Sequence, residues 1–524
     1  MAAAAPLSSE HHATARDWIM VSAGLIGAFM AVLNIQITNA SLLNIEGGIG
    51  TGVDNGAWIS TAYLIGEIIV IPLCDYLSRV FSFRIFLIVN SILFIIFSVC
   101  CAFAQNLPQM IALRGVQGFC GGVLIPMAFT LILTRLPKSQ QPIGMAMFAI
   151  TATFAPAIGP TIGGYLTENF GWEYIFFINV IPGAIMVVAL MMTLEREPMQ
   201  LGLLKEGDWL GIVTMSIGLA ALQTVLEEGN KEDWFGSPFI VKLAIVAVVF
   251  LGVFIATELL VKNPAVNLRL LAKRNFGFGT LANALLGFGL YGSVFLLPQY
   301  LGQAQGYNAE QIGSVMAWTG LPQLLVIPFV PKLMKKIDAR LLVAFGLCLF
   351  GYSCMMNMYM SPDTAGDQFF TPNVIRAVGQ SFAMAPLTGI AMVGIARADS
   401  AAASGLFNML RNLGGAFGVA LLGTIFTKRE QFHSNVIGIN VNPFRQEVRD
   451  RLAQMTNYFM AHGISDPATA QHQSAIMLGK IIKKQSVIMG FADTFAVLGG
   501  MLFVAAVCVM LAKKGEASAG AVAH

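Results

Sequence analysis

The 524-residue sequence predicts an all-α integral membrane protein of fourteen transmembrane helices, and three observations lead there. Hydrophobic residues make up 56% of the chain and charged residues only 11%, a balance that cannot cover a water-facing surface. Apolar segments long enough to cross ~30 Å of hydrocarbon recur along the chain. Lys and Arg gather in every second connection between them.

The spans fall at 18–43, 57–77, 84–104, 109–135, 142–166, 174–194, 209–228, 239–261, 276–302, 309–331, 340–360, 373–396, 400–427 and 486–512. Each is set off by polar or turn-forming residues. Fourteen crossings put both chain ends on one side. One set of connections and tails carries Arg16, Arg79, Arg84, Arg135, Lys332, Arg340 and many more cations. The short connections of the other set carry Lys231 among acids such as Glu46, Asp54, Glu168 and Asp367. The positive-inside rule therefore makes both termini cytoplasmic. The loop 428–485 is basic yet external, as the rule allows for a long loop. Residues 1–17 lack the apolar stretch of a signal peptide and read as a solvated tail, His11 and His12 included.

Several function classes drop out. A net charge of +3 is no nucleic-acid signal. The seven cysteines lie in apolar runs without metal-ligand or redox spacing, so neither a metal nor a cofactor is expected. No His/Asp/Glu cluster of catalytic spacing lies within the spans, which argues against an enzyme. The phosphate-binding G-x-x-x-x-G-K-[ST] is absent, which leaves an ion gradient as the energy source.

The spans group as six, two and six. The division is a cytoplasmic tail (1–17), an N-terminal six-helix bundle (18–194), a linker with two extra helices (195–262), a C-terminal six-helix bundle (263–512) and a tail (513–524). "LRGVQGF" (113–119) opens the fourth span and "IRAVGQSF" (375–382) the twelfth, each with an Arg near its start and a Pro further along. A duplicated transporter predicts that echo; chance likeness between apolar segments predicts it equally well.

"FAPAIGPTIGG" (154–164) places two prolines and three glycines inside the fifth span. Thr151, Ala155, Gly159 and Gly163 are four apart, so they form one strip of small residues along a helix. Such a strip lets a neighbouring backbone come close. Pro156 and Pro160 each remove a backbone hydrogen bond and bend the helix. The expectation is a kinked, closely packed seam made by Ala155, Gly159, Pro160, Gly163 and Gly164.

"APAIGPTIGG" resembles the antiporter motif of major facilitator superfamily exporters, and "RGVQGFCGG" their Arg-containing fourth-helix motif. With "GWEYIFFINVIPG" (171–183), "AAASGLFNMLRNLGGAFG" (401–418) and "VNPF" (441–444), the chain after residue 17 resembles fourteen-helix drug:proton antiporters of the EmrB type. The resemblance implies a major facilitator fold of two six-helix bundles plus two inserted helices, in a bacterial inner membrane. In a double-membraned cell it also implies a periplasmic adaptor protein and an outer-membrane channel as partners. Two departures stand out. Asn34 in "LNIQITNASL" occupies the place of the family's first-helix Asp. In "LCDYLSRVFSFR", Asp75 and Arg79 replace the usual Gly and Asp of the gating loop.

A charge near the bilayer centre costs ~2.5–3.5 kcal/mol or more, so ionisable residues there are functional candidates. Glu67 lies about ten residues into the second span, at a depth that matches Asn34 in the first at ~1.5 Å per residue. It is the leading proton carrier, with Arg114 as counter-charge and Asp493 as a further coupling candidate; a pocket residue that contacts cationic cargo is the other reading of Glu67. Asn34, Glu67, Gln117, Arg411 and Asn408 are the candidate pocket residues, and a hydrogen-bonding hub fits Arg411 and its neighbours equally well. The expected activity is proton-coupled efflux of apolar or amphiphilic small molecules by alternating access, of multidrug type. The alternative is a dedicated exporter of one endogenous metabolite or siderophore.

Overall fold

The computed structural model describes residues 13–51, 56–137, 139–261, 264–396 and 399–513, and these are almost wholly helical. The tails with His11, His12 and Lys514, and Asp54 in the loop 52–55, lie outside them. The spans are α1 (Ala15–Ala40), α2 (Ala57–Phe81), α3 (Phe83–Ala102), α4 (Leu107–Arg135), α5 (Gln141–Asn169), α6 (Tyr174–Thr193) and α7 (Trp209–Glu228). Then come α8 (Pro238–Leu260), α9 (Arg274–Gln305), α10 (Glu310–Met334), α11 (Ala339–Tyr359), α12 (Phe370–Met392), α13 (Ser400–Asn440) and α14 (Pro467–Met510).

Twelve of these are long and apolar enough by themselves to cross a bilayer. The bent α5 makes a thirteenth, its two parts meeting at 45° around the Pro156 region. The fourteenth, α12, is lower in apolar content because it carries Asn373, Arg376, Gln380 and Ser381, all buried against other helices rather than facing lipid. Its 23 residues span ~34 Å at 1.5 Å per residue.

Helix starts follow local capping chemistry. Thr14 and Asp17 form a capping box at α1, and the side chains of Asn106, Asp208 and Asp466 accept from backbone N–H groups at α4, α7 and α14. Arginines do the complementary work at helix ends. Arg16 donates to the Thr193 carbonyl (2.9 Å) and Arg84 to that of Leu194 (2.9 Å). Arg274 donates to Leu511 (3.0 Å) and Arg340 to Ala512 (2.9 Å). The start of α1 and the end of α14 thus lie on one face with these cations, here called the tail face.

The opposite face carries a cap. Both α13 and α14 continue well beyond the spans expected at 400–427 and 486–512, and a helix at Gln446–Ala461 lies between them. Lys483 pairs with Glu430 at 2.7 Å, and Thr456 meets Ser474 at 3.0 Å, which ties the three helices into one projection.

Buried apolar side chains form one cluster from α1–α6 and a second drawn mostly from α7–α14. The halves meet at the tail face, where Gly405 at the start of α13 lies against the Ile71 carbonyl in α2; a Cβ there would stand 3.1 Å from the oxygen. α8 packs on α7 and otherwise faces outward, with only 17% of its apolar window buried. α7 itself is an inner element. Leu226 packs with Ala416 and Ala420 of α13. Glu228 accepts from Thr61 of α2 at 3.3 Å, while Asn230 and Trp234 donate to Thr427 (3.3 Å) and Thr424 (2.9 Å) of α13. The end of α7 is therefore fastened to both halves.

Candidate functional site

The fifth-helix strip packs against α1. Ala155 is wholly buried, and Gly163 and Gly164 are buried one turn from Gly159. A Cβ on Gly159 would fall on the Gln36 side chain, and one on Gly163 would stand 3.0 Å from the Ile37 carbonyl oxygen. The glycines allow this approach because any side chain would hold the two backbones apart. Pro160, on the adjoining face, lines a cavity.

That cavity measures about 710 Å³ and opens toward the cap face. The two halves separate there, between the facing sides of α1 and α2 on one hand and α9 and α13 on the other. α7 closes it laterally with Gln223, Leu226 and Glu227, and the turn that follows adds Asn230. The rest of the lining is mostly apolar, with Leu64, Ile68, Val294, Phe295 and Val419 prominent, as expected of a small-molecule site.

Glu67 is in that lining, 3% exposed. The glycines of "RGVQGFCGG" set its position: Gly122 of α4 lies directly against the Glu67 backbone, where a Cβ would stand 2.9 Å from its Cα. Glu67 Oε1 accepts from Asn412 Nδ2 of α13 at 2.9 Å, and its Oε2 has no partner. One carboxyl thus bridges the two halves and keeps a free oxygen. Near the mouth, Lys231 sits 3.8 Å from Glu228. Burial raises the Glu46 carboxyl above its usual range there, and the Lys231 ammonium offsets part of the rise.

Other expected site residues stand elsewhere. Arg114 forms no ion pair with Glu67. It is fully buried, with Nη1 bonded to Asn34 Oδ1 and, at 2.7 Å, to Gln117 Oε1, and Nε bonded to the Ile59 carbonyl at 3.3 Å. Its guanidinium lies 4.4 Å from the Tyr63 ring centre. Asn34 and Gln117 give their oxygens to this cluster, keep their amide nitrogens buried without a partner, and do not line the cavity. Asn408 is also outside the lining; it is wholly buried, and its Nδ2 donates to the Ser404 carbonyl. Arg411 lines a smaller adjoining cavity. Asp493 is held by Arg429 (2.6 Å) and His433 (2.7 Å) below the cap, away from Glu67. A carboxylate paired with a cation in this way is poorly placed to exchange protons with the cavity.

Gln36, Tyr291 and Glu227 line the cavity without having stood out in the sequence. Gln223 and Glu227 are four apart in an otherwise apolar span, and Gln223 Nε2 donates to Glu227 at 3.0 Å. That spacing was the available signal.

The description "Major Facilitator Superfamily" fits residues 24–419. The chain belongs to this superfamily. It is 32% identical to the colistin resistance protein EmrB of Acinetobacter baumannii, covering 95% of this chain and 97% of that one. It is 31% identical to the multidrug export protein EmrB of Escherichia coli (97% and 98%) and to the fatty acid resistance protein FarB of Neisseria gonorrhoeae (97% and 98%). Among solved structures, a POT family transporter in complex with 5-aminolevulinic acid matches with a TM-score of 0.59 at 14% identity, covering 94% of this chain and 95% of that chain. A bacterial homologue of the human lysosomal transporter Spinster, inward-facing, gives 0.53 at 13% (97% and 100%). At those identities the structures speak for the fold alone, while the family model and the EmrB-named relatives show a multi-pass membrane transporter.

Proposed function

We propose that this protein exports apolar or amphiphilic small molecules by alternating access, driven by proton influx, in the manner its EmrB-named relatives suggest. The observation that carries the reading is the 710 Å³ cavity between the halves with the buried Glu67 in its wall. A mostly apolar lining suits cargo of mixed structure, and a buried carboxyl with one free oxygen suits a group that gains and loses a proton. Its bond to Asn412 couples protonation to the fit between the halves, which is the movement that alternating access requires.

The proposal places 18–194 and 263–512 as the two moving bundles and 195–262 as the inserted pair. It sets the protein in a bacterial inner membrane with both ends cytoplasmic, so that the cavity described here faces outward. The cap at 428–485 then projects to the side where a periplasmic adaptor and outer-membrane channel would act.

Reconstituted vesicles test this directly. An imposed pH gradient should drive efflux of an apolar dye, and Glu67→Gln should abolish that flux while keeping dye binding. Wild-type, gradient-driven flux in Glu67→Gln would remove Glu67 from the proton path. Absence of any gradient-driven flux in the unmodified protein would end the export reading.

A further inference from the structure

A second cavity of about 20 Å³ adjoins the first, and Gln36, Tyr291 and Val294 line both. Its walls also include Arg376 and Gln380 of α12 and Arg411 of α13. Arg376 is 5% exposed and Arg411 4%. Among the described residues no carboxylate forms an ion pair with either guanidinium, and Arg376 Nε is buried without a partner. Gln380 stands one turn along from Arg376. Its Oε1 accepts from Gln323 at 2.8 Å, while its Nε2 is buried and unpartnered. The Phe350 ring, 5.5 Å from the Arg376 guanidinium, is the contact on another side.

This arrangement is incomplete as a protein interior. A guanidinium stays charged and offers five N–H donors. Buried charges in folded proteins are paired, and two cations lining one small cavity repel each other. The free groups that line the cavity, Arg376 Nε and Gln380 Nε2, are donors, and the free acceptor beside them, Gln323 Oε1, lies outside the lining. The missing component is an anion.

We propose that Arg376, Arg411 and Gln380 form an anion subsite at the floor of the transport cavity, which takes the carboxylate head of an amphiphilic cargo while the larger cavity holds its apolar body. The inference rests on the export reading and names the class of cargo for that same site. A planar carboxylate offers two oxygens to the planar forks of arginine, and the small cavity has room for about one water-sized group, so the head enters it by its oxygen and keeps its carbon at the junction. The junction at Gln36, Tyr291 and Val294 leads from it into the apolar space. The Glu67 carboxyl, bonded to the residue next to Arg411, draws on the same positive charge.

Equilibrium binding to the full-length protein in lipid nanodiscs separates the components. Decanoate and decan-1-ol share an apolar tail and differ in the charge of the head. The unmodified protein should bind decanoate at least tenfold more tightly than decan-1-ol. Arg376→Gln and Arg411→Gln should each remove most of that preference and leave decan-1-ol binding in place. Gln380→Glu guards against loss of fold, because it supplies an internal carboxylate one turn from Arg376. It should raise the melting temperature and lose decanoate selectively. Equal binding of the two probes by the unmodified protein, or unchanged decanoate preference in Gln380→Glu, overturns the subsite. Neither result bears on dye efflux driven by a pH gradient, so failure here is distinct from failure of the export reading.

Discussion

Arg114 and Arg376 open the fourth and twelfth helices at corresponding places in two similar stretches, each beside an aromatic ring, without an ion pair among the described residues and with one buried guanidinium nitrogen unpartnered, yet the acceptors around them differ. Arg114 is enclosed by Asn34, Gln117, the Ile59 carbonyl and the Tyr63 ring. Arg376 has an aromatic ring beside it, no ion pair, and a cavity in front of it. A buried charge that meets acceptors from its own chain locks helices together. One without them adds a cost that only something from outside can offset. The same residue type in the same frame therefore holds the first half together and leaves the second half open to a ligand.

Thermal unfolding in nanodiscs can break or sharpen that contrast. The largest effect is expected for Arg114→Met, which leaves Asn34 Oδ1 without a donor in the interior, removes the bonds to Gln117 and the Ile59 carbonyl, and should destabilise by roughly 3 kcal/mol. Gly159→Leu comes next. It forces α1 away from α5 at Gln36, a residue that lines both cavities, and overpacking of this kind costs about 1–3 kcal/mol. The protein should still insert, with transport lost; intact efflux would mean that α1 can shift without disturbing either site. Asn34→Asp should act in the other direction, giving Arg114 a charge-assisted partner and adding on the order of 1 kcal/mol. The smallest effect belongs to Arg376→Met, where an apolar side chain replaces a charge that has no partner. Its melting point should stay level or rise. A loss as large as that of Arg114→Met would erase the distinction between the two arginines.

Much of the fold was readable because a bilayer imposes strict demands. Span length, the Lys/Arg asymmetry and the small-residue strip all follow from single-segment chemistry, and Gly159 and Gly163 lie against α1 as their spacing required. Glu67 was readable as a buried carboxyl on the same grounds. Its partner was not. Asn412 is 345 positions away, and only the meeting of the halves brings it there. The hydrogen-bond partners of Arg114 were not readable, because depth along a helix says nothing about the direction a side chain faces. The partners of Asp493 were not readable either, because α13 and α14 run on into the cap and carry Arg429 and His433 to it. The inserted pair read as a linker, since hydropathy alone does not tell the inner α7 from the outward-facing α8.

The position of α7 has a consequence for the route a cargo takes. Molecules of this class dissolve in the acyl region of a bilayer, and a gap between α2 and α13 would let them slip sideways from the leaflet into the cavity, or leak back the same way. α7 fills that gap, fastened to α2 through Glu228 and, with its following turn, to α13 through Asn230 and Trp234. Exchange with the membrane is thus shut off along this flank at the cap face. Cargo that leaves past α7 therefore meets water, or whatever the cap engages, before it meets lipid.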